Sequence, residues 1–289
     1  MIVKMLGPPK SKSMSNFNKI AIISGEGKLP QLIFKEVEMT GAEACFFYPH
    51  KITAKIPKNS PFVYFNPLDI EGLFLELSKR NIFDVVFAGK ITRSINKYAL
   101  PNDRNNIFSS NLESVLQETD DKVLRKIGVL FENHGFNIRG VLELLPASLA
   151  SGGVLTSKEP SLDDKNDIIK AVGYQKILSK SDIGQSVIVA NGLCLGLETL
   201  PGTDAMLDFV KGFKNKGQLD IKSAGVLYKG IKSNQDTRFD VPVIGLTTIE
   251  KVKKANLEGI ALQKDTVVII EKDKVIKLAN KLDIFITAV

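Results

Sequence analysis

Three short apolar runs near the N-terminus constrain the fold of this chain more than any other sequence feature. They are the runs 19–23, 44–48 and 84–88. Between them, the helical spacing of apolar residues predicts helices from Pro30 to about Gly41 and over 68–80. Apolar strands that alternate with helices form a parallel sheet with helices on its faces. The sequence therefore predicts an α/β, Rossmann-like domain over residues 19–147.

The character of the chain changes after this domain. Prolines and glycines interrupt the segment 148–162, which is typical of an interdomain linker. Further on, Asn191-Gly192 lies between two apolar runs and predicts a β-hairpin. We expect a mixed α/β C-terminal domain over 163–289. Its predicted elements are hairpin strands at 186–189 and 193–197, strands at 225–228, 259–262, 266–270 and 284–288, and helices at 163–179, 203–213, 248–255 and 272–282.

The net charge bears on the class of binding partner, and the cysteine content bears on the cellular compartment. Lys and Arg outnumber Asp and Glu by 39 to 32, a net charge of +7. Such a charge suits nucleic acid, an anionic lipid surface or a phosphate compound as partner, although a mildly basic surface without a specific partner is the favoured interpretation. The basic residues are spread out, so no nucleic-acid partner is expected. Two cysteines in apolar stretches predict a reducing, cytoplasmic compartment. Residues 1–18 are expected to be a disordered basic tail, and no apolar run is long enough to cross a bilayer.

Two glycine turns follow the first and third of the apolar strands. The first contains Gly25, Glu26 and Gly27, and the second contains Ala88, Gly89, Lys90 and Ile91. Ligands of open parallel sheets bind beyond the carboxyl ends of the strands, so both turns are expected to line one crevice that holds a phosphate or sugar. Pro30 and His50 stand where a dinucleotide fingerprint requires a glycine and an acid, which disfavours a nicotinamide cofactor. A purely structural role of the glycines stays open, because a tight turn also needs their dihedral freedom.

The turn 201–206 precedes a predicted helix of the C-terminal domain. Thr203 or Asp204 suits a plain helix N-cap there. A carboxylate at a helix start also suits a metal ion, and the spacing favours the cap.

The run 235–240 is the most unusual polar segment of the chain. Pro242 biases Val241 away from the helical region, so we expect an extended conformation from Gln235 onward. Alternation along such a strand would place Asp236, Arg238 and Asp240 on a face towards a cleft, with Phe239 and Val241 packed inward.

In that extended geometry the carboxylates of Asp236 and Asp240 would lie roughly 13 Å apart. A single magnesium ion would then take both only if the chain bends between them. Lys229 and Lys232, upstream, add positive charge that suits phosphate oxygens. The alternative is a surface ladder of charges with little energetic value.

Other catalytic arrangements are missing from the sequence. His50 and His134 are far apart, zinc-ligand spacing is absent, and there is no nucleophile elbow and no P-loop. The remaining carboxylates, lysines and arginines suit magnesium-assisted attack of water on a phosphorus centre.

Several motifs together resemble the LpxI-type UDP-2,3-diacylglucosamine pyrophosphatases, over about Lys19 to Val289. The motifs are Gly-Thr-Asp-Ala-Met at 202–206, Gln-Asp-Thr-Arg-Phe-Asp-Val-Pro-Val-Ile-Gly at 235–245, Asp-Ile-Gly-Gln at 182–185, Gly-Glu-Gly-Lys-Leu-Pro at 25–30, Phe-Ala-Gly at 87–89, and Asp120-Asp121 before Leu124-Arg125. Pro201 departs from the glutamate usual in the family. The resemblance implies two domains that hold the lipid substrate between them. It also implies magnesium-dependent hydrolysis of UDP-2,3-diacylglucosamine to UMP and 2,3-diacylglucosamine 1-phosphate in lipid A synthesis.

The resemblance also implies which aspartate is essential, since the last Asp of the family motif matches Asp240. Our hypothesis is that Asp240 binds the magnesium ion and that at most one of Asp204 and Asp236 binds the same ion. Arg238 and Gln235 complete the catalytic group, and the substrate-binding group consists of Gly25, Glu26, Gly27, Ala88, Gly89, Lys90, Ile91, Asp121, Thr203, Lys229 and Lys232.

Two other functions stay open on the sequence alone. The chain could be a nucleotide-sugar enzyme of another class, or a lipid- or nucleotide-binding protein without catalysis. A diacylated substrate also predicts transient contact with the cytoplasmic face of the inner membrane. The number of subunits is open, with a homodimer as one option.

Overall fold

The structure is a computed structural model that describes residues 17–50, 56–67, 69–90, 120–215, 224–233 and 235–289. The side chains of 120–122 and 215 are not among the described parts, so the predicted substrate contact of Asp121 lies outside them. Ile91 and most of the predicted tail 1–18 also lie outside the described residues.

The N-terminal part contains a parallel sheet, as predicted. Its described strands follow the order β3-β2-β1-β4-β5, and all neighbouring strands are parallel. The elements are β1 (Lys19–Ser24), α1 (Leu29–Met39), β2 (Glu43–Pro49), β3 (Phe62–Phe65), α2 (Ile70–Lys79), β4 (Asp84–Ala88), α3 (Asp120–Asn133), β5 (Asn137–Ile138) and α4 (Val141–Leu144).

The central strand β1 shows why its sequence is apolar without alternation. Ile20 and Ile22 belong to a core that contains residues of α1, whereas Ala21 and Ile23 belong to a second core with residues of α2 and α3. Both faces of the strand are therefore buried, as is typical of a parallel sheet covered by helices.

The C-terminal part is a mixed sheet, in agreement with the predicted fold class. The strand order among described residues is β6-β13-β11-β9-β7-β8, with parallel pairs in the middle and antiparallel pairs at both ends. The elements are β6 (Gly153–Val154), α5 (Leu162–Ser179), β7 (Ser186–Ala190), β8 (Leu193–Leu197), α6 (Thr203–Asn215), β9 (Val226–Lys229), β10 (Val243–Ile244), α7 (Leu246–Lys254), β11 (Gly259–Leu262), β12 (Val268–Ile269), α8 (Lys272–Lys281) and β13 (Phe285–Ala288).

The predicted hairpin is confirmed. Strands β7 and β8 pair antiparallel, and the turn residues Asn191 and Gly192 both have positive φ, at 49° and 75°. These are the conformations that make the Asn-Gly pair a hairpin turn.

The segment predicted as a linker runs along the C-terminal part of the molecule. The Ala150 N–H donates to the Val267 carbonyl at 2.9 Å, and β6 pairs antiparallel with β13. These backbone hydrogen bonds attach most of the first half of the segment to the C-terminal domain.

The extended conformation predicted for 235–240 is wrong. The N–H groups of Phe239 and Asp240 both donate to the Asp236 carbonyl, at 3.0 and 3.2 Å, so the chain makes a tight turn. Proline restricts only the residue directly before it, and the strand begins after Pro242, at β10.

The inward packing predicted for Phe239 and Val241 is confirmed, and it joins the two parts of the chain. Phe239 belongs to the core around α2 and α3, with its ring centroid 5.3 Å from that of Phe87. Val241 belongs to the other N-terminal core, next to α1. Asp240 is therefore fixed between two residues that are buried against the N-terminal sheet.

Candidate active site

Asp240 is the centre of a polar cluster that we define as Asp240, Gln185, Gln235, Lys229 and Lys232. One oxygen of its carboxylate, Oδ2, accepts hydrogen bonds from both glutamine side chains, at 3.2 Å from Gln185 Nε2. Asp240 keeps a solvent-exposed edge, while the surrounding protein encloses much of its carboxylate. The cluster thus presents an oriented carboxylate whose second oxygen can face a ligand or water.

The local chain geometry explains how the two glutamines reach Asp240. Gly184 has a φ of 51°, and a Cβ there would lie 2.0 Å from the Glu198 carbonyl oxygen. Glycine is therefore required directly before Gln185, where the chain enters β7. Gln235 is oriented by its other end, because its Oε1 accepts from the Lys232 backbone N–H at 3.0 Å.

The electrostatics of the cluster distinguish Asp240 from an ordinary surface aspartate. Burial by the surrounding protein raises the pKa of its carboxyl group above the usual value. The charges of Lys232 and Lys229 and the glutamine hydrogen bonds act in the opposite direction. A carboxyl group under these opposed influences is typical of functional sites.

Lys229 lies at the end of β9 with its side chain buried. Its Nζ donates to Thr203 Oγ1 at 2.7 Å and lies 3.8 Å from Glu198 Oε2. The Thr203 hydroxyl in turn donates to Glu198 at 2.7 Å. Burial lowers the pKa of the Lys229 ammonium, and the negative charges of Glu198 and Asp240 oppose that shift. A buried lysine with a single close carboxylate is a cation held in a defined place.

Thr203 stands at the first position of α6, and its hydroxyl points into this network. The sequence suggested a plain helix N-cap at Thr203 or Asp204, but the Thr203 side chain forms hydrogen bonds with Glu198 and Lys229. Gly202, with a φ of 87°, makes the turn that brings the start of the helix to β9. Lys232 lies beyond Lys229 and pairs with Asp182 at 2.6 Å.

Asp236 and Arg238, predicted to share a face with Asp240, form a separate ionic group. The Arg238 guanidinium bonds to Asp236 and, at 2.6 Å, to Glu132 of α3. The hydrogen bonds from Arg238 lower the pKa of Asp236. The tight turn directs these two side chains to the N-terminal domain, whereas Asp240 points to the C-terminal one.

Asp204 is exposed in the first turn of α6, and its negative charge acts to raise the pKa of Lys229. The described residues bring no group of three or more His, Cys, Asp or Glu side chains together as metal ligands. Asp204, Asp236 and Asp240 therefore do not form a common carboxylate cage in this structure.

The two glycine turns lie against each other, as predicted, at the carboxyl ends of β1 and β4. The Gly25 N–H donates to the Ala88 carbonyl at 2.7 Å, and the Glu26 N–H donates to that of Lys90 at 2.8 Å. A Cβ on Gly25 would lie 2.6 Å from the Gly89 carbonyl carbon, so close backbone approach explains why glycine is needed here. Because those two amides are already engaged, any phosphate contact would fall to later groups of the turn, from Gly27 onward.

The sequence analysis did not identify three side chains that complete the network. Gln185 was part of a motif without an assigned role, and Glu198 and Glu132 were not singled out. Glu132 pairs with Arg238 across 106 residues, which no local pattern can reveal. The sequence signal that could have revealed Glu198 is Lys229 at the end of an apolar strand, because a buried charge requires a partner of opposite sign.

Comparisons with known proteins cover almost the whole chain. The family models for the LpxI N-terminal and C-terminal domains match residues 19–148 and 151–287. The UDP-2,3-diacylglucosamine pyrophosphatase LpxI of Caulobacter vibrioides is 28% identical over 275 residues, which are 94% of this chain and 97% of that protein. Matches to both domains, in this order and with this coverage, agree with the two sheets described above. The chain belongs to the LpxI family.

Proposed function

We propose that this protein hydrolyses the pyrophosphate bond of UDP-2,3-diacylglucosamine to release UMP and 2,3-diacylglucosamine 1-phosphate for lipid A synthesis. The observation that carries the proposal is the Asp240 carboxylate, held by two amide side chains beside two lysines. The name of the Caulobacter relative specifies the same substrate. Family membership supports the transfer of that activity to this chain.

Asp240 is the group that we expect to act on the reacting water. Gln185 and Gln235 hold one carboxylate oxygen, and no other described side chain bonds to the second oxygen, which could accept a proton or orient water towards phosphorus. Lys229 and Lys232 supply positive charge where the diphosphate gains negative charge in the transition state. Lys229 is fixed by Thr203 and Glu198, so its charge needs little reorganisation.

The cluster fits a magnesium ion that the protein shares with its substrate. Magnesium is commonly bound by one or two carboxylates together with phosphate oxygens and water, so a cage of protein ligands is not required. Asp240 is the carboxylate of the site best placed to hold it, because Asp236 is bonded to Arg238. When bound, the ion would neutralise the diphosphate and polarise its phosphorus centre.

The role of Arg238 is revised by its contacts. Its guanidinium bonds to Asp236 and Glu132, so we assign it to positioning of the 235–241 turn. The glycine turns are proposed to hold the UDP or glucosamine end of the substrate. They adjoin the Asp240 cluster through Phe87, which directly precedes Ala88 and packs on Phe239.

The proposed substrate carries two acyl chains, so the protein would act at the cytoplasmic surface of the inner membrane. None of the described helices combines the length and apolarity needed to cross a bilayer. A net charge of +7 suits transient binding to an anionic leaflet.

The test is to incubate the purified protein with UDP-2,3-diacylglucosamine and magnesium and to identify both products by mass spectrometry. We expect UMP and 2,3-diacylglucosamine 1-phosphate in equal amounts. UDP together with free diacylglucosamine would point to cleavage of a different bond. Tight binding of the lipid without turnover at any magnesium concentration would instead favour a binding protein.

A further inference from the structure

Helix α5 has an apolar stripe on the side that faces away from its sheet. Leu162, Ile169 and Ile177 are 74%, 69% and 67% exposed, and the exposed Gly173 lies between the two isoleucines. At 3.6 residues per turn these positions fall within an arc of about 80° and along about 22 Å of the helix, and the exposed Asn166 is the polar residue within that arc. The buried Ala171 lies on the opposite side, so both faces of this helix are apolar.

Basic residues border the stripe. The acidic residues of the helix are mostly turned inward: Asp164 is buried in the capping box with Ser161, and Asp167 accepts the N–H groups of the hairpin turn. Asp163 is the exposed acid of the helix. The exposed basic residues are Lys165, Lys170, Lys176 and, at the C-cap, Lys180.

The same helix contacts the loop that carries the proposed catalytic residues. Gln175 Nε2 donates to the Ile231 carbonyl at 2.7 Å, and the Ser179 and Ser233 hydroxyls are 2.6 Å apart. This loop continues from Lys232 to Asp240. Gln175 is on the same side of α5 as Ala171, opposite the stripe, so a surface bound through the stripe would be separated from this loop by the width of the helix, about 10 Å.

We infer that α5 is the face by which this protein lies on an anionic lipid bilayer. The helix as a whole is not amphipathic, because its buried face is apolar too. Its exposed half, with apolar residues on one line and lysines on the borders, resembles the surface by which interfacial helices bury apolar side chains among the lipid head groups. The lysines would then meet the negative surface of the leaflet. The inference rests on the proposed function, because a substrate with two acyl chains resides in that bilayer.

The charges favour a lipid surface over a second copy of this chain. A two-fold symmetric contact would set the stripe against itself, and the bordering lysines of the two copies would then face each other. Four lysines against one exposed aspartate make such a contact repulsive, whereas an anionic leaflet is complementary to them.

The experiment measures vesicle binding by the full-length protein without substrate, so its result does not depend on catalysis. Co-sedimentation uses phosphatidylcholine vesicles with and without about one third phosphatidylglycerol. The test variant is Ile169→Gln with Ile177→Gln. The matched control is Met39→Gln with Leu75→Gln, which are 73% and 57% exposed on helices of the N-terminal domain. Thermal unfolding checks that both variants remain folded.

We expect the wild type and the control to bind the anionic vesicles, and the α5 variant to bind at least about tenfold more weakly. We also expect the variant to release UMP normally from detergent-dispersed substrate but more slowly from substrate in vesicles. Equal binding by the α5 variant and the wild type would overturn the inference. So would a wild type that ignores anionic vesicles but is dimeric by light scattering, with the α5 variant monomeric.

Discussion

Gly128 offers the sharpest test of how Asp240 is held in place. It lies inside α3, and a Cβ at this position would be 2.4 Å from Cζ of Phe239. The phenylalanine ring is buried against Phe87 and has little room to move. An ordinary contact starts at 3.4 Å, so Gly128→Ala requires a shift of about 1 Å. Asp240 directly follows Phe239 in the chain and would move with it.

The expected result is a large loss of rate with a small change in stability. Alanine in a helix interior gains roughly 0.5–1 kcal/mol over glycine, whereas overpacking costs about 1–3 kcal/mol. The free energy of unfolding should therefore fall by no more than about 2.5 kcal/mol. A displacement of about 1 Å at a catalytic group can lower kcat about 10²-fold. The assays are UMP release at saturating substrate and equilibrium unfolding in urea.

Gly212→Ala is the matched control, because Gly212 also lies within a helix, α6, and no atom is within 4 Å of its Cβ position. The free energy of unfolding of this control should rise by roughly 0.5–1 kcal/mol, because alanine has a higher helix propensity than glycine, and kcat should stay at the wild-type value. Phe239→Leu, which lacks the para carbon, should restore part of the rate in the Gly128→Ala background. A Gly128→Ala protein with wild-type kcat would refute the coupling between Phe239 and Asp240.

Three further predictions concern the charges of the site. Glu198→Gln removes the carboxylate that opposes the lowered pKa of Lys229, so the alkaline limb of the kcat/KM profile should move to lower pH; an unchanged limb would show that the Lys229 charge is not needed. Since burial raises the pKa of Asp240, the wild-type rate should fall with acid at a pH above the ordinary aspartate pKa of about 3.9, and a limb at or below that value would contradict a carboxylate held in this environment. Chelation with EDTA should abolish UMP release and added magnesium should restore it, whereas full activity in EDTA would exclude the proposed ion.

Most of the architecture could be predicted from the sequence because its signals are local. Unbroken apolar runs such as 85–88 arise when both faces of a strand are buried, and they correctly predicted the parallel sheet. The Asn191-Gly192 pair correctly predicted the hairpin, since both residues adopt positive φ at low cost. The fold class followed from the order of these elements.

The conformation of the 235–240 segment could not be predicted in the same way. Pro242 limits only its neighbour, and the turn forms where Phe239 and Val241 enter two separate N-terminal cores. That packing is tertiary, so it outweighed the local preference for an extended chain. The partners of the charged residues were hidden for the same reason, as the pairing of Glu132 with Arg238 shows.

The most direct test of the account compares Asp240→Asn with Asp236→Asn in UMP release from UDP-2,3-diacylglucosamine with magnesium. Both substitutions keep the size of the side chain, and the two positions are in the same turn. We expect Asp240→Asn to lose at least about 10³-fold in kcat, by analogy with removal of other essential catalytic groups. Asp236→Asn, which only weakens a salt bridge with Arg238, should keep at least roughly a tenth of the rate. Near-wild-type turnover by Asp240→Asn, or an equal loss in both variants, would contradict the assignment of Asp240 as the central carboxylate.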